Sequence, residues 1–317
     1  MLTVTLLGTA ATLPRPDRCC SAAVFTCQGR HILLDCGEGT QVALHRLRIS
    51  PMKIDLIALT HYHGDHILGL PGLLQTMGTL NRTQELVICG PEGLEAVMQA
   101  ILFLADELPF PVRLMTLPPE GLTLAALNGQ WPAGALLTTF PTVHRVPAQG
   151  YRFHLPRLRR LDRDRAEASG VPRRLWRMLQ SGHTVQIEGR TIHPDAVCEP
   201  ERPGLTAVFT GDTAPCEAVV RAAREADLLI MDATYADDSL ADKAAFYGHS
   251  TFRQTAELAA EAGVKRLWLT HFSAMLECPA DALPTAQEVF PGAICGMDGM
   301  REMLTFPEET AEANPCL

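Results

Sequence analysis

The sequence predicts an α/β protein. Three observations carry that expectation. Short apolar runs alternate with helix-like segments along most of the 317 residues. Metal-ligand types of side chain recur just beyond the ends of those apolar runs. One interval, Pro156–Gly204, breaks the rhythm and is rich in Arg and Pro. Composition agrees with a packed core, since 47% of residues are hydrophobic and 20% charged, which excludes a disordered chain.

The elements follow in order. The first strands are expected at Leu2–Leu7, Ala22–Cys27 and His31–Asp35, each a short run dominated by apolar and β-branched residues. A helix is expected over Gly39–Arg46 and strands at Leu56–Thr60 and Leu86–Cys89. A helix over Pro91–Leu104 comes next, then a strand at Leu136–Val143. The Pro156–Gly204 interval carries a small helix-like piece, Arg173–Leu179, and a hairpin-like piece, Thr184–Ile192, and reads as an inserted arm on a single domain. Strands at Ala207–Thr210, Leu228–Asp232 and Arg266–Thr270 alternate with helices at Ala214–Glu225 and Thr251–Ala262. The last helix is the best punctuated: Thr251 with Gln254 fits a capping box, and Gly263 fits a C-terminal stop.

No stretch reaches the roughly 18 apolar residues that a membrane span needs. The opening MLTVTLLGTAATLP lacks a basic leader and reads as a strand, so no secretion signal is expected. None of the ten cysteines, the last of them Cys316, forms a C-x-x-C pair, which suits reduced thiols in a cytoplasmic protein with no disulfide partner. The net charge of −9 argues against a generic nucleic-acid binder. Yet Tyr151–Arg190 holds ten arginines against four acids, +6, leaving −15 on the remainder. Such a segment is either a solvated basic surface or a local grip on a polyanion.

The chemistry gathers at strand ends. His61-Tyr62-His63-Gly64-Asp65-His66 directly follows the apolar run LIALT and places four candidate ligands within six residues. Imidazole and carboxylate suit zinc, and packed together without a cation they would desolvate or repel one another. The same arrangement recurs at His144 after TTFPTV, at Asp212 after AVFTG, and at His271 after RLWLT. Ligands placed beyond strand ends can converge on one rim of an α/β sheet.

The pattern resembles the metallo-β-lactamase superfamily, and within it the ribonuclease Z (tRNase Z) family. The resemblance rests on LLGTAATLPRPDR near the start, LLDCGEGTQ at 33–41, THYHGDHILGLPGLL at 60–74 and ICGPEG at 88–93. It continues through VHRVPAQGYRF at 143–153, FTGDTAPC at 209–216, GHSTFRQTAELA at 248–259 and LTHFS at 269–273. It implies a four-layer αββα fold with an inserted basic, flexible arm. It implies two zinc ions per subunit, with manganese or another divalent ion as substitutes: one held by His61, His63 and His144, the other by Asp65, His66 and His271, and Asp212 bridging them. Two such cations lower the pKa of a shared water and neutralise charge growing on an attacked phosphate. By the same resemblance Asp65 takes the family's proton-acceptor role, and His249, in GHST, stands by the leaving oxygen as proton donor or phosphate contact; on its own it also reads as the N-terminal boundary of the following helix.

Asp35 reads either as a residue orienting a histidine ligand or as a turn or helix cap. Asp232 has the same strand-end position and is not counted as a ligand; His31, His45, His154, His183 and His193 are assigned no function. The arm, by resemblance, grips precursor tRNA by its phosphates, with Arg157, Arg159, Arg160, Arg173, Arg174 and Arg177 as candidate contacts. The implied activity is removal of the 3′ trailer from precursor tRNA, leaving a 3′-hydroxyl on the tRNA, by a cytoplasmic homodimer. The alternatives are a related metallo-hydrolase acting on a small phosphodiester or ester, and a non-catalytic tRNA-binding paralogue. Two departures from the family pattern stand out: Arg173-Arg174 where a Gly-Pro pair is usual, and Ala274-Met275 where Arg-Tyr is usual.

Overall fold

A computed structural model describes residues 1–307, so Cys316 lies outside the described residues. Sixteen strands follow one another among the described residues. The N-terminal half contributes β1 (Leu2–Gly8), β2 (Ala22–Cys27), β3 (Arg30–Leu34), β4 (Ile54–Ala58), β5 (Leu86–Cys89) and β6 (Val112–Met115). Next come β7 (Leu122–Thr123), β8 (Leu136–Pro141), β9 (Gln149–Arg157), β10 (Val185–Ile187), β11 (Arg190–Ile192) and β12 (Arg202–Phe209). The chain closes with β13 (Leu228–Asp232), β14 (Leu267–Thr270), β15 (Ala293–Cys295) and β16 (Arg301–Leu304).

Fourteen of these strands form two seven-stranded mixed sheets, ordered β16-β1-β2-β3-β4-β5-β6 and β15-β14-β13-β12-β9-β8-β7. The sheets face each other because successive side chains point to opposite faces of a strand. Leu2, Val4 and Leu6 of β1, Phe25 of β2 and Ile32 and Leu34 of β3 enter one central core. Tyr151, Phe153 and Leu155 of β9, Phe209 of β12 and Trp268 of β14 meet them from the other sheet. The opposite faces bind helices. Val24, Leu33 and Ile57 pack against Leu70, Leu73, Leu74 and Met98 outside the first sheet. Val208, Leu229 and Leu269 pack against Val219, Phe252, Ala256 and Ala259 outside the second. The order of layers is helix, sheet, sheet, helix.

The expected strands and helices form, with ends moved by a few residues. The Thr251 capping box is made in full, and Gly263 ends that helix at φ +66°. Five strands, β6, β7, β9, β15 and β16, and several helices, Leu70–Thr79 the longest of them, emerge where none was expected. The central strand β9 carries Pro156 and two arginines, which obscure its buried Tyr151-Phe153-Leu155 alternation. The helix Leu70–Thr79 contains Pro71, Gly72 and Gly78, all poor helix formers, yet it buries Leu70, Leu73, Leu74 and Met77 against the first sheet. The strands β6, β15 and β16 are only three or four residues long.

Between β9 and β12 the chain builds a small body of its own. It contains helices Arg163–Ala168, Arg173–Gln180 and Pro194–Val197 and the β10–β11 hairpin. Ala166, Val171, Leu179, Val185, Val197 and Cys198 form its separate apolar core. The expected helix and hairpin fall within it, at Arg173–Gln180 and at Val185–Ile192.

Candidate metal centre

Four strand ends deliver the site. His61 and His63 follow β4, and Asp65 and His66 lie on the short helix Gly64–Ile67. His144 follows β8, Asp212 follows β12, and His271 follows β14 with a left-handed φ of +62°. All seven side chains meet. His61 Nε2 and His144 Nε2 lie 3.1 and 3.2 Å from His63 Nδ1. On the other side, His66 Nε2 is 3.3 Å from His271 Nε2, and His271 Nε2 is 3.2 Å from Asp65 Oδ2. Asp212 stands between the two groups. Its Oδ2 faces His61 Nε2 at 3.6 Å, while its Oδ1 faces His66 and His271 Nε2 at 3.2 Å each.

The surrounding hydrogen bonds fix which nitrogen of each ring faces inward. His144 Nδ1 donates to the Gly248 carbonyl at 2.9 Å. His66 Nδ1 donates to Asp35 Oδ2 at 2.8 Å. Thr60 gives its own hydroxyl proton to Asp35, so its oxygen accepts from His61 Nδ1 at 3.0 Å. Thr234 likewise donates to Asp232 at 2.7 Å and accepts from His271 Nδ1 at 2.9 Å. In each of the four rings the hydrogen sits on Nδ1, which leaves the Nε2 lone pair aimed at the carboxylates. With the rings neutral, lone pairs and carboxylate oxygens face one another across 3.2–3.9 Å, a gap that only an added proton or a cation can bridge. Asp212 Oδ1 is buried and has no hydrogen-bond partner. Buried acceptors so arranged fit cations and little else.

The electrostatics agree. Burial opposes charge on His66, yet Asp212 and Asp35 lift its pKa well above the usual imidazole value. Burial and the imidazole of His66 push His61 down to about 2. Burial works against charge on Asp65 too, but His271 and His66 hold its carboxyl below the usual range. The cluster attracts positive charge and keeps its carboxylates ionised.

Asp232, which the sequence reading did not count among the ligands, lies close enough to Asp212, His249 and His271 to join a metal-holding group, but both its oxygens are engaged. Its Oδ2 accepts from His249 Nδ1 at 2.7 Å and from the Thr213 amide, and its Oδ1 accepts from Thr234. His249 therefore presents Nε2 to the pocket, its ring stacked 5.3 Å from His271. Asp35 is the histidine-orienting carboxylate, and its backbone takes a left-handed φ of +55°. Three partners were not read from sequence: Thr60, Thr234 and the amide of Thr12, which donates to Asp65 Oδ2 at 2.6 Å. Thr12 holds φ at +62°, and nothing in a single sequence marks a threonine for that conformation. Gly248 is different: a Cβ there would lie 2.8 Å from His144 Nδ1, so only glycine lets the two loops approach.

The cleft holds about 400 Å³ and is walled by His63, Asp65, His144, Asp212, His249 and His271. Ala274-Met275 sits on a loop pinned by Arg15, which bonds the Ala274 carbonyl, and Arg18, which bonds that of Leu276.

Known proteins with this design are numerous. A family model described as "Beta-lactamase superfamily domain" matches residues 197–272, and one described as "Anti-Pycsar protein Apyc1" matches 2–99. A protein named Ribonuclease Z from Agathobacter rectalis is 41% identical over 309 residues, spanning 98% of this chain and all of the relative. The chain belongs to the ribonuclease Z family. A second member, from Lachnoclostridium phytofermentans, is 37% identical over 96% of this chain and 99% of its own. The crystal structure of human tRNase Z, short form, superposes with a TM-score of 0.65 at 27% identity, covering 96% of this chain and all of that one. The fold is the metallo-β-lactamase fold of that family.

The arm arginines divide. Arg173, Arg174 and Arg177 are exposed on one face of the helix Arg173–Gln180. Arg160 is also exposed, and Arg157 lies over the Phe306 ring. Arg159 departs from its expected role as a phosphate contact. It is 7% exposed, bonded to the Glu199 carbonyl and paired with Asp195 at 2.6 Å, which ties the base of the arm together.

Proposed function

We propose that the protein is a metal-dependent endoribonuclease that hydrolyses the phosphodiester joining tRNA to its 3′ trailer. The observation that carries this is the set of inward-facing Nε2 lone pairs divided between the two oxygens of Asp212. Two divalent ions, zinc or manganese, fit that donor set, with His61, His63 and His144 holding one, Asp65, His66 and His271 the other, and Asp212 both. When bound, they polarise the attacking water and offset charge on the phosphate.

The chain's own residues do the rest. Asp65, oriented by the Thr12 amide, accepts the proton of the attacking water. His249, held by Asp232 through Nδ1, gives the proton on Nε2 to the leaving 3′-oxygen. The products are a 3′-hydroxyl on the tRNA and a 5′-phosphate on the trailer.

The body between β9 and β12 is proposed to be the arm that grips tRNA. Arg173 and Arg174 occupy the first turn of their helix, where cations oppose the helix dipole; that turn holds no acidic side chain, and Glu167 of the preceding helix pairs with Arg173 alone, at 3.6 Å. That placement costs local stability and suits an anion. Arg157, Arg160 and Arg177 complete the basic surface, and recognition is by shape and backbone. The protein is proposed to act as a cytoplasmic homodimer. Supporting this, an apolar groove of about 570 Å³ opens between the helices Thr40–Arg46 and Leu70–Thr79, beside Val42 at 67% and Leu80 at 50% exposure. The nine described cysteines are unpaired, which suits a reducing compartment.

The test is cleavage of a 3′-extended tRNA transcript. Wild type should yield one trailer with a 5′-phosphate, and Asp65→Ala should bind the transcript without cutting it. Turnover of a small chromogenic phosphodiester with no tRNA cleavage would show a small-molecule hydrolase instead.

A further inference from the structure

Outside the metal cluster, the cleft has a second feature that the proposed chemistry does not use. Arg145 directly follows the ligand His144, and its guanidinium carbon lies 5.4 Å from the centre of the Tyr247 ring. Both residues line the same cleft as His144 and His249. Their positions are fixed from below. Tyr247 ends the helix Ala241–Tyr247, and the next residue, Gly248, accepts the hydrogen bond from His144. Beside them, Phe246 meets Tyr247 edge-on at 5.1 Å and is 72% exposed, while Tyr247 is 38% exposed.

Packing does not account for this group. Among the described residues Arg145 has no carboxylate in ion-pair range, and an exposed cation–π contact is worth only about 0.5–1 kcal/mol. An exposed aromatic pair is costly to keep beside a polar cleft, and only 6% of the chain is aromatic. A planar π-face with a guanidinium across it is what an unpaired nucleotide requires: the base stacks and the cation meets the phosphate.

We infer that Tyr247 and Arg145 form a subsite for the last retained nucleotide of the tRNA, the ring stacking on its base and the guanidinium meeting its phosphate. This rests on the nuclease reading above. The side follows from the chemistry. The leaving oxygen is the 3′-oxygen of the retained nucleotide, and His249, which protonates it, lies two residues from Tyr247. The retained base therefore falls toward Tyr247 and the trailer away from it. Any base can stack, so the subsite is tolerant of sequence.

The experiment pairs protein variants with abasic substrates in single-turnover cleavage of a 3′-extended tRNA. Removing the base of the last retained nucleotide should slow wild type about tenfold, in line with one lost stacking contact. Tyr247→Ala should slow cleavage of the intact substrate by a similar factor and show no further loss on the abasic one. Tyr247→Phe, which keeps the ring, should keep the abasic penalty. Arg145→Gln should raise KM and lower the salt slope of binding by about one phosphate. The inference is overturned if wild type ignores the abasic site, if the two penalties multiply, or if coupling appears only with an abasic first trailer nucleotide. Cleavage of the intact substrate by wild type in the same assay shows separately that the nuclease reading stands; its absence would overturn both.

Discussion

His66 donates its Nδ1 hydrogen to Oδ2 of Asp35 at 2.8 Å, and both side chains are fully buried. That single contact decides which nitrogen of His66 faces the cluster. Thr60 locks Asp35 in turn through its amide at 2.7 Å and its hydroxyl at 2.9 Å, and the same hydroxyl orients His61. One carboxylate that touches no ion thus sets two ligands.

Asp35→Asn should therefore damage metal binding without removing a ligand. An amide can donate to His66 Nδ1, which would force the hydrogen onto Nε2, where the lone pair is needed. Metal affinity should fall by about 10- to 100-fold, the usual effect of losing a ligand's orienting partner. A chelator-competition titration measures it. An unchanged affinity would mean that His66 does not depend on Asp35.

Asp212→Asn should change the stability of the stripped and loaded proteins in opposite directions. Asp212 Oδ1 is a buried acceptor without a donor, and an amide nitrogen there could donate to the Nε2 atoms that face it. With chelator present, at a pH high enough to leave His66 neutral, the variant should be more stable by about 1–2 kcal/mol, the cost of one unsatisfied buried group. With excess zinc it should be less stable, because the gain from a bound ion scales with affinity for the folded state. Bound metal should drop below two per chain. Paired thermal melts with metal analysis provide the check, and a variant less stable in chelator would refute the argument.

The arm arginines should separate by burial. Replacing Arg173, Arg174 and Arg177 together by Ala should lower the dependence of log K on log salt by about 2–3, near one per phosphate contact, and leave the melting temperature little changed. Arg159→Ala should instead lower the melting temperature, because its guanidinium joins Glu199 and Asp195 at the arm's base. Filter binding across a salt series, with melts alongside, distinguishes them. Equal salt slopes in wild type and the triple variant would remove these residues from the tRNA surface.

Much of this site was legible because ligand chemistry is local: His61, His63, Asp65 and His66 declare themselves within six residues. His144, Asp212 and His271 were legible because each follows an apolar run, and such runs place their ends on one rim. What escaped was whatever depends on tertiary approach. Thr12 and Thr234 are ordinary threonines until folding brings one to Asp65 and the other between Asp232 and His271. Arg159 looks like its arginine neighbours in sequence, and only the closing of the arm at Asp195 buries it. The helix Leu70–Thr79 escaped because packing against the first sheet outweighs its proline and glycines.

His31 gives a pH dependence far from the ions. It lies on β3 at 8% exposure, its ring against the Thr26 hydroxyl at 2.9 Å. Burial, with Lys53 and Arg30 nearby, pushes its pKa down to about 4. The unfolded chain takes up this proton near pH 6.5, whereas the folded chain resists until about pH 4. In that window the unfolded state binds more protons, so stability falls as pH drops and the loss is complete near pH 4. The difference corresponds to about 3 kcal/mol at most. In His31→Gln the uncharged amide can keep the contact to Thr26 but cannot titrate, so this part of the acid sensitivity should vanish. Urea midpoints of both proteins, measured with chelator from pH 7.5 to 4.5, isolate it, since the contributions of the other histidines cancel in the difference. Parallel curves would show that His31 protonates in the folded protein as readily as in the unfolded chain.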